Sequence, residues 1–163
     1  MSLFFAPALT VGAVIWAALL VAAPAGFGGD GLAGLAGYVY AVGSQICHQR
    51  PDRSFAVGDL QMPVCARCFG LYLSGAIGAV AAWFAALRTT AHARWLLAIT
   101  ALPTGLTWAM EAAGLADFSN AIRASAALPL GAAAGWVFVQ MLRYDSESHA
   151  RENQDSRTTA RFG

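Results

Sequence analysis

No charged side chain occurs before Asp30, and no cation before Arg50. A helix crossing a hydrocarbon core of ~30 Å needs about 20 apolar residues at 1.5 Å each, so residues 3–25 supply one full span. The small residues around Pro24 resemble a signal-peptide cleavage site, but the positive region that precedes such a site is missing. Three later runs repeat the pattern: 69–87 between Arg67 and Arg88, 95–113 after Arg94, and 121–142 before Arg143. Residues 31–47 are also charge-free but short and rich in glycine, and Pro51 keeps that helix from extending far. The expected fold is therefore all-α: an integral membrane bundle of four long transmembrane helices. One short Gly-rich helix joins them, either spanning or re-entrant.

Composition agrees. Of 163 residues 58% are hydrophobic and only 12% charged, about half the charged share of a soluble domain. Too few charges remain to cover a surface facing water. The net charge of +1 gives no basic face for nucleic acid, so the first expected partner is the lipid bilayer. Gly131 and Gly135 form a G-x-x-x-G pair, and Gly70, Ser74 and Gly78 repeat that spacing. Such stripes let helices approach closely; packing within one subunit is the preferred reading, with a homo-oligomer or a larger membrane complex also open. Residues 1–143 form the expected helical domain. The polar stretch 144–163, alternating Arg with Asp and Glu, is expected to be a disordered tail.

All ten basic residues are arginine. Six of them (Arg88, Arg94, Arg143, Arg151, Arg157, Arg161) fall on the tail's side of the bundle, against four (Arg50, Arg53, Arg67, Arg123) on the other. The positive-inside rule then puts the tail in the cytoplasm and the 47–68 loop on the outer side of the cytoplasmic membrane.

That loop holds the chemistry. All three cysteines and one of three histidines lie in C-H-Q-R-P-D-R-S-F-A-V-G-D-L-Q-M-P-V-C-A-R-C, a ligand pattern Cys47-His48-x16-Cys65-x2-Cys68. A C-x-x-C knuckle with a distant Cys/His pair is the donor set of four-coordinate zinc, three thiolates and one imidazole; other thiophilic metals remain possible, as do a redox-active thiol pair and inert packing. Pro63 presets the next helix, so Cys65 and Cys68 share one face of its first turn, where the helix dipole and Arg67 favour thiolate. Cys47 and His48 are harder to reconcile, because helical neighbours point about 100° apart. Either the helix unwinds there, or one of the two ligates and a water or Asp59 completes the shell. Arg50, Arg53, Arg67, Gln49 and Gln61 surround the motif, either as a solvated loop or as groups that bind an anion or balance the thiolates. Glu111 and Arg123 each stand six residues from Asp117 and are expected to pair across the last hairpin, at about 1 kcal/mol or less near the interface.

The strings C-H-Q-R-P-D-R-S-F and Q-M-P-V-C-A-R-C-F-G-L-Y resemble the signature of an uncharacterised family of small multispanning prokaryotic membrane proteins, a domain of unknown function. Ser119-Asn120-Ala121-Ile122-Arg123 resembles the family's second motif. Where that family carries an Asp and a Gln in the preceding helix, this chain has Thr107 and Glu111. The resemblance implies that the Cys/His motif is the functional centre, and it implies no activity. Two function classes follow from the residues. One is a membrane protein with a Cys3His zinc site organising a boundary loop, in a structural or accessory role. The other is a quinone-linked thiol-disulfide oxidoreductase using the C-x-x-C pair.

Overall fold

Small residues decide how the helices meet. The structure, a computed structural model, describes residues 4–25, 33–84 and 90–162; Asp30 and Arg88, used above to bound spans, lie outside them. Helix α1 (Phe5–Ala22) runs into a 3-10 turn at Ala23–Ala25, followed by α2 (Ala33–Ile46). A second 3-10 turn (Pro51–Arg53) and a hairpin of β1 (Ala56–Val57) and β2 (Leu60–Gln61) make up the loop. Helices α3 (Ala66–Ala81), α4 (Thr90–Ala112) and α5 (Asn120–Phe162) complete the chain.

The most extensive pairing is α3 on α5. Gly70 faces Ala124, Gly131 faces Leu71 and Ser74, Gly78 faces Ala132, and Gly135 faces Gly75 and Ala79. Residue numbers rise together along the two helices, so they run parallel, and both glycine stripes are used within one chain. Helix α1 runs the other way along α3. Ala6 packs with Ala79, Ala82 and Val139, Trp16 meets Tyr72 edge-on at 6.1 Å, and Leu20 and Ala23 reach Val64 and Cys47. At the end remote from the cysteines, Arg143 Nη1 and Gln140 Nε2 donate to the Ala82 carbonyl at 2.7 and 2.8 Å. The Arg143 guanidinium also lies 5.0 Å from the Trp83 ring centroid.

A carbon added at Gly135 would press into the backbone oxygen of Gly75, whereas one added at Gly12 has nothing within 4 Å. Backbone cannot step aside as a side-chain tip can. Gly135→Ala is therefore expected to destabilise the protein by about 1–3 kcal/mol through overpacking, and Gly12→Ala to be neutral or mildly stabilising. Thermal unfolding in detergent distinguishes the two.

The all-α expectation holds apart from the small hairpin. Four long spans do not all appear. Among the described residues two helices are long and apolar enough to cross a membrane, Phe5–Ala22 with mean hydropathy 2.1 and Asn120–Tyr144 with 1.4. Helix α3 is apolar but only 16 residues long, because the chain turns at 82–84. Helix α4 has 23 residues, but Arg94, Thr100, Thr104, Thr107 and Glu111 dilute its hydropathy. Its outward face is nonetheless apolar, with Trp95, Ile99, Leu102 and Leu106 between 57% and 72% exposed. Helix α5 extends to Phe162, with no proline after Pro129 to stop it.

Candidate metal centre

The loop is folded by backbone hydrogen bonds from two glutamines. Helix α2 ends with the Cys47 amide on Gly43 O at 2.9 Å, and the chain reverses at Gln49, whose φ of +46° is left-handed. That conformation is uncommon outside glycine and is held from both sides. Gln49 Nε2 donates to Tyr40 O (2.9 Å) and Pro63 O (2.7 Å), and Gln49 O accepts from Gln61 Nε2 at 2.6 Å. The Tyr40 hydroxyl donates to Gln61 O. Gly43 makes this approach possible: a Cβ there would collide with Pro63 O and meet Gln49 Nε2 at 3.0 Å. The two glutamines are thus engaged in shaping the loop.

The reversal carries the chain back so that Cys47 meets the start of α3. Cys65 is the N-cap of that helix, with φ −67° and ψ 159°, and Cys68 stands three residues on. The three Sγ atoms lie within 4.8 Å of one another, and the Cys65 amide donates to Cys47 Sγ at 3.1 Å. Their floor is apolar: Leu20, Ala23, Val39 and Val64, walled by Trp16, Tyr40, Phe69 and Tyr72. Tetrahedral zinc with Zn–S near 2.3 Å separates its thiolates by about 3.8 Å, so side-chain adjustments of an ångström or less would close the shell. Cys65 is held down to about 5, first by its hydrogen bond with the Cys68 thiol and then, against the opposing effect of burial, by amides of the first helical turn. A metal would displace the proton that this bond carries.

His48 does not join the sulfurs. Cys47 is buried, but the next side chain points to solvent, and His48 is absent from the group of ligand atoms among the described residues. Adjacent residues at a helix end diverge, so burying Cys47 turns His48 away. The arginines are met by carboxylates. Arg50 grips Asp52 through two bonds of 3.1 and 3.0 Å, which hold the Asp52 carboxyl below its ordinary range. Arg53 Nε lies 3.7 Å from the same carboxylate.

Arg67 leaves the cysteines that flank it and crosses to α4, where its Nη2 donates to Thr107 Oγ1 (3.3 Å) and Glu111 Oε2 (3.1 Å). The other oxygen of Glu111 accepts from Arg123 Nε at 2.6 Å, and Arg123 Nη2 donates to Asp117 at 2.7 Å. Glu111 and Arg123 are 3% and 5% exposed, whereas Asp117 is 93% exposed. The hairpin that sets this register ends α4 in a Schellman turn, with Gly114 at φ +69° and amides of Gly114 and Leu115 on Glu111 O and Met110 O, as left-handed helix ends do. Ser119 caps α5 by accepting from the Ile122 amide. Asn120 Nδ2, whose residue stands in the second motif without an assigned role, donates to Ser54 O at 2.9 Å, and Arg123 reaches Asp52 O at 3.5 Å. The second motif thus supports the first from beneath. An open cleft of about 550 Å³ lies beside this ion network, lined by Asp52, Arg53, Glu111 and residues 114–117.

The chain belongs to the family described as Predicted membrane protein (DUF2085), whose model matches residues 47–137. It is 36% identical over 87 residues to an uncharacterized protein of Methanocaldococcus jannaschii, covering 52% of this chain and 56% of that one. It is 31% identical over 86 residues to an uncharacterized protein of Methanothermobacter thermautotrophicus, covering 53% of this chain and 78% of the relative. The chain thus spans little more than half the length of the first relative. No solved structure matches.

Proposed function

We propose that this is a multispanning membrane protein whose three cysteines bind one thiophilic metal ion, zinc first, and so fasten the boundary loop onto the helix bundle. The observation that carries this reading is the convergence of all three sulfurs to within 4.8 Å, from positions up to 21 residues apart in a chain with no other cysteine. Thiolates select zinc over hard cations, and metal binding would contribute directly to the stability of the loop.

Four crossings by α1, α3, α4 and α5 fit this reading. The antiparallel run of α1 on α3 brings its end to the cysteines, where α3 begins. Helix α2, the shortest at 14 residues against 16 in α3, would remain on that side. The Arg143 end of the bundle would then face the cytoplasm, beside the N-terminal end of α1, and the thiols would face outward. A reporter fused after Arg143 should behave as cytoplasmic; labelling of that position from outside intact cells would reverse the orientation.

A specific observation favours a second reading. The Cys65 and Cys68 thiols are both free and stand together at the start of α3, as an attacking thiolate and its resolving partner would in a quinone-linked oxidoreductase. Alkylation separates the two. With metal bound, the cysteines should resist a small alkylating reagent until a chelator is added. Cys65 should then react first, at a rate that falls as pH drops through about 5, where the thiolate is lost. If a chelator does nothing and a reductant releases the thiols, the redox reading replaces this one.

A further inference from the structure

The three-sulfur group raises the question of what completes a tetrahedral shell. We infer that the metal is held by three protein ligands alone, with its fourth position open to a neutral oxygen or nitrogen donor from outside the chain, water in the resting protein. This rests on the metal-binding reading above and deepens it.

Among the described residues, the carboxylates, imidazole and amides near the motif are engaged or directed elsewhere. His48 points to solvent and Asp59 lies exposed at the hairpin turn. Asp52 is gripped by Arg50, and Glu111 is shared between Arg67 and Arg123. The Gln49 and Gln61 side chains are held in place by Nε2 bonds to backbone oxygens, the Tyr40 hydroxyl bonds Gln61 O, and Tyr72, which walls the sulfurs, carries a phenol that is a poor zinc ligand while protonated. Met62 is buried but stands outside the side chains packed around the sulfurs. Charge points the same way. Three thiolates and a divalent ion sum to −1; Arg50 and Arg53 share one carboxylate, Asp52, which leaves one positive charge in the loop to match it, while Arg67 and Arg123 are matched by Glu111 and Asp117. An anionic fourth ligand would add a second negative charge over an apolar floor, where uncompensated charge is expensive; a neutral donor adds none. Three protein ligands and one exchangeable position characterise reactive zinc sites, while purely structural sites are closed by four.

X-ray absorption on the full chain, purified in detergent and loaded with zinc, tests this. The expected shell is three sulfurs at about 2.3 Å and one light atom at about 2.0–2.1 Å, unchanged in His48→Ala. In the cobalt-loaded protein, added imidazole should shift the visible absorption. Loss of the light scatterer in His48→Ala, a shell of four sulfurs, or a spectrum indifferent to imidazole would overturn the open position while leaving metal binding intact. Failure to take up any metal would overturn both.

Discussion

Cys65→Ser and Cys68→Ser should each reduce bound metal from about one per chain to nearly none, while His48→Ala leaves it in place. A hydroxyl is not a thiolate: it remains protonated at neutral pH and is a poor zinc ligand. Because only three sulfurs converge, losing one leaves two donors where a stable site needs at least three. Cys65 and Cys68 are the cleaner positions, since both are half-buried, whereas Cys47 is 8% exposed and packs with Leu20 and Val39. Cys47→Ser would therefore mix lost coordination with lost packing. Sequence reasoning assigned His48 a ligand's role, so His48→Ala should have weakened binding; its exposure removes that expectation. Arg67→Ala should also retain metal, because the guanidinium engages Glu111 and Thr107.

Glu111→Gln should cost about 3–5 kcal/mol, the usual effect of breaking a buried ion pair by removing one partner. It leaves Arg123, 5% exposed, without its closest carboxylate in the first turn of α5, where the helix dipole already disfavours a cation. It also leaves Arg67, 16% exposed, with the Thr107 hydroxyl in place of a carboxylate. This exceeds the ~1 kcal/mol suited to a surface pair, because the pair is covered and its carboxylate serves two arginines. Asp117→Asn should cost about 1 kcal/mol or less, since that carboxylate is 93% exposed. Thermal unfolding of both variants in detergent checks the contrast.

Features set by local spacing were legible in the residues. The cysteine group follows from C-x-x-C at a helix start and a third cysteine just before a proline-bounded loop. The α3–α5 seam follows from small residues four apart on each helix, though not its parallel direction, which emerges only when α1 and α4 are placed. What escaped was direction and burial. Nothing in the order Cys-His says which of the two turns inward; the left-handed Gln49 and the close approach at Gly43 decide it. Gln49 and Gln61 have the composition of ligand or anion contacts, yet their amides were needed by buried carbonyls of the loop. Asn120 stands in the second motif, but its role was not legible, because its partner, Ser54 O, is 66 residues away in the chain. Hydropathy marked α3 and α4 as long spans, but the turn after Ala81 and the threonines of α4 make them weaker candidates.

The central claim is that the cysteines hold a metal rather than a disulfide. Its most direct test is the metal content of protein purified in detergent without added metal or chelator, with mass spectrometry of the same sample. The expected result is about one zinc per chain with Cys47, Cys65 and Cys68 all reduced. Much less than one metal per chain, together with Cys65 and Cys68 joined in a disulfide, would contradict it.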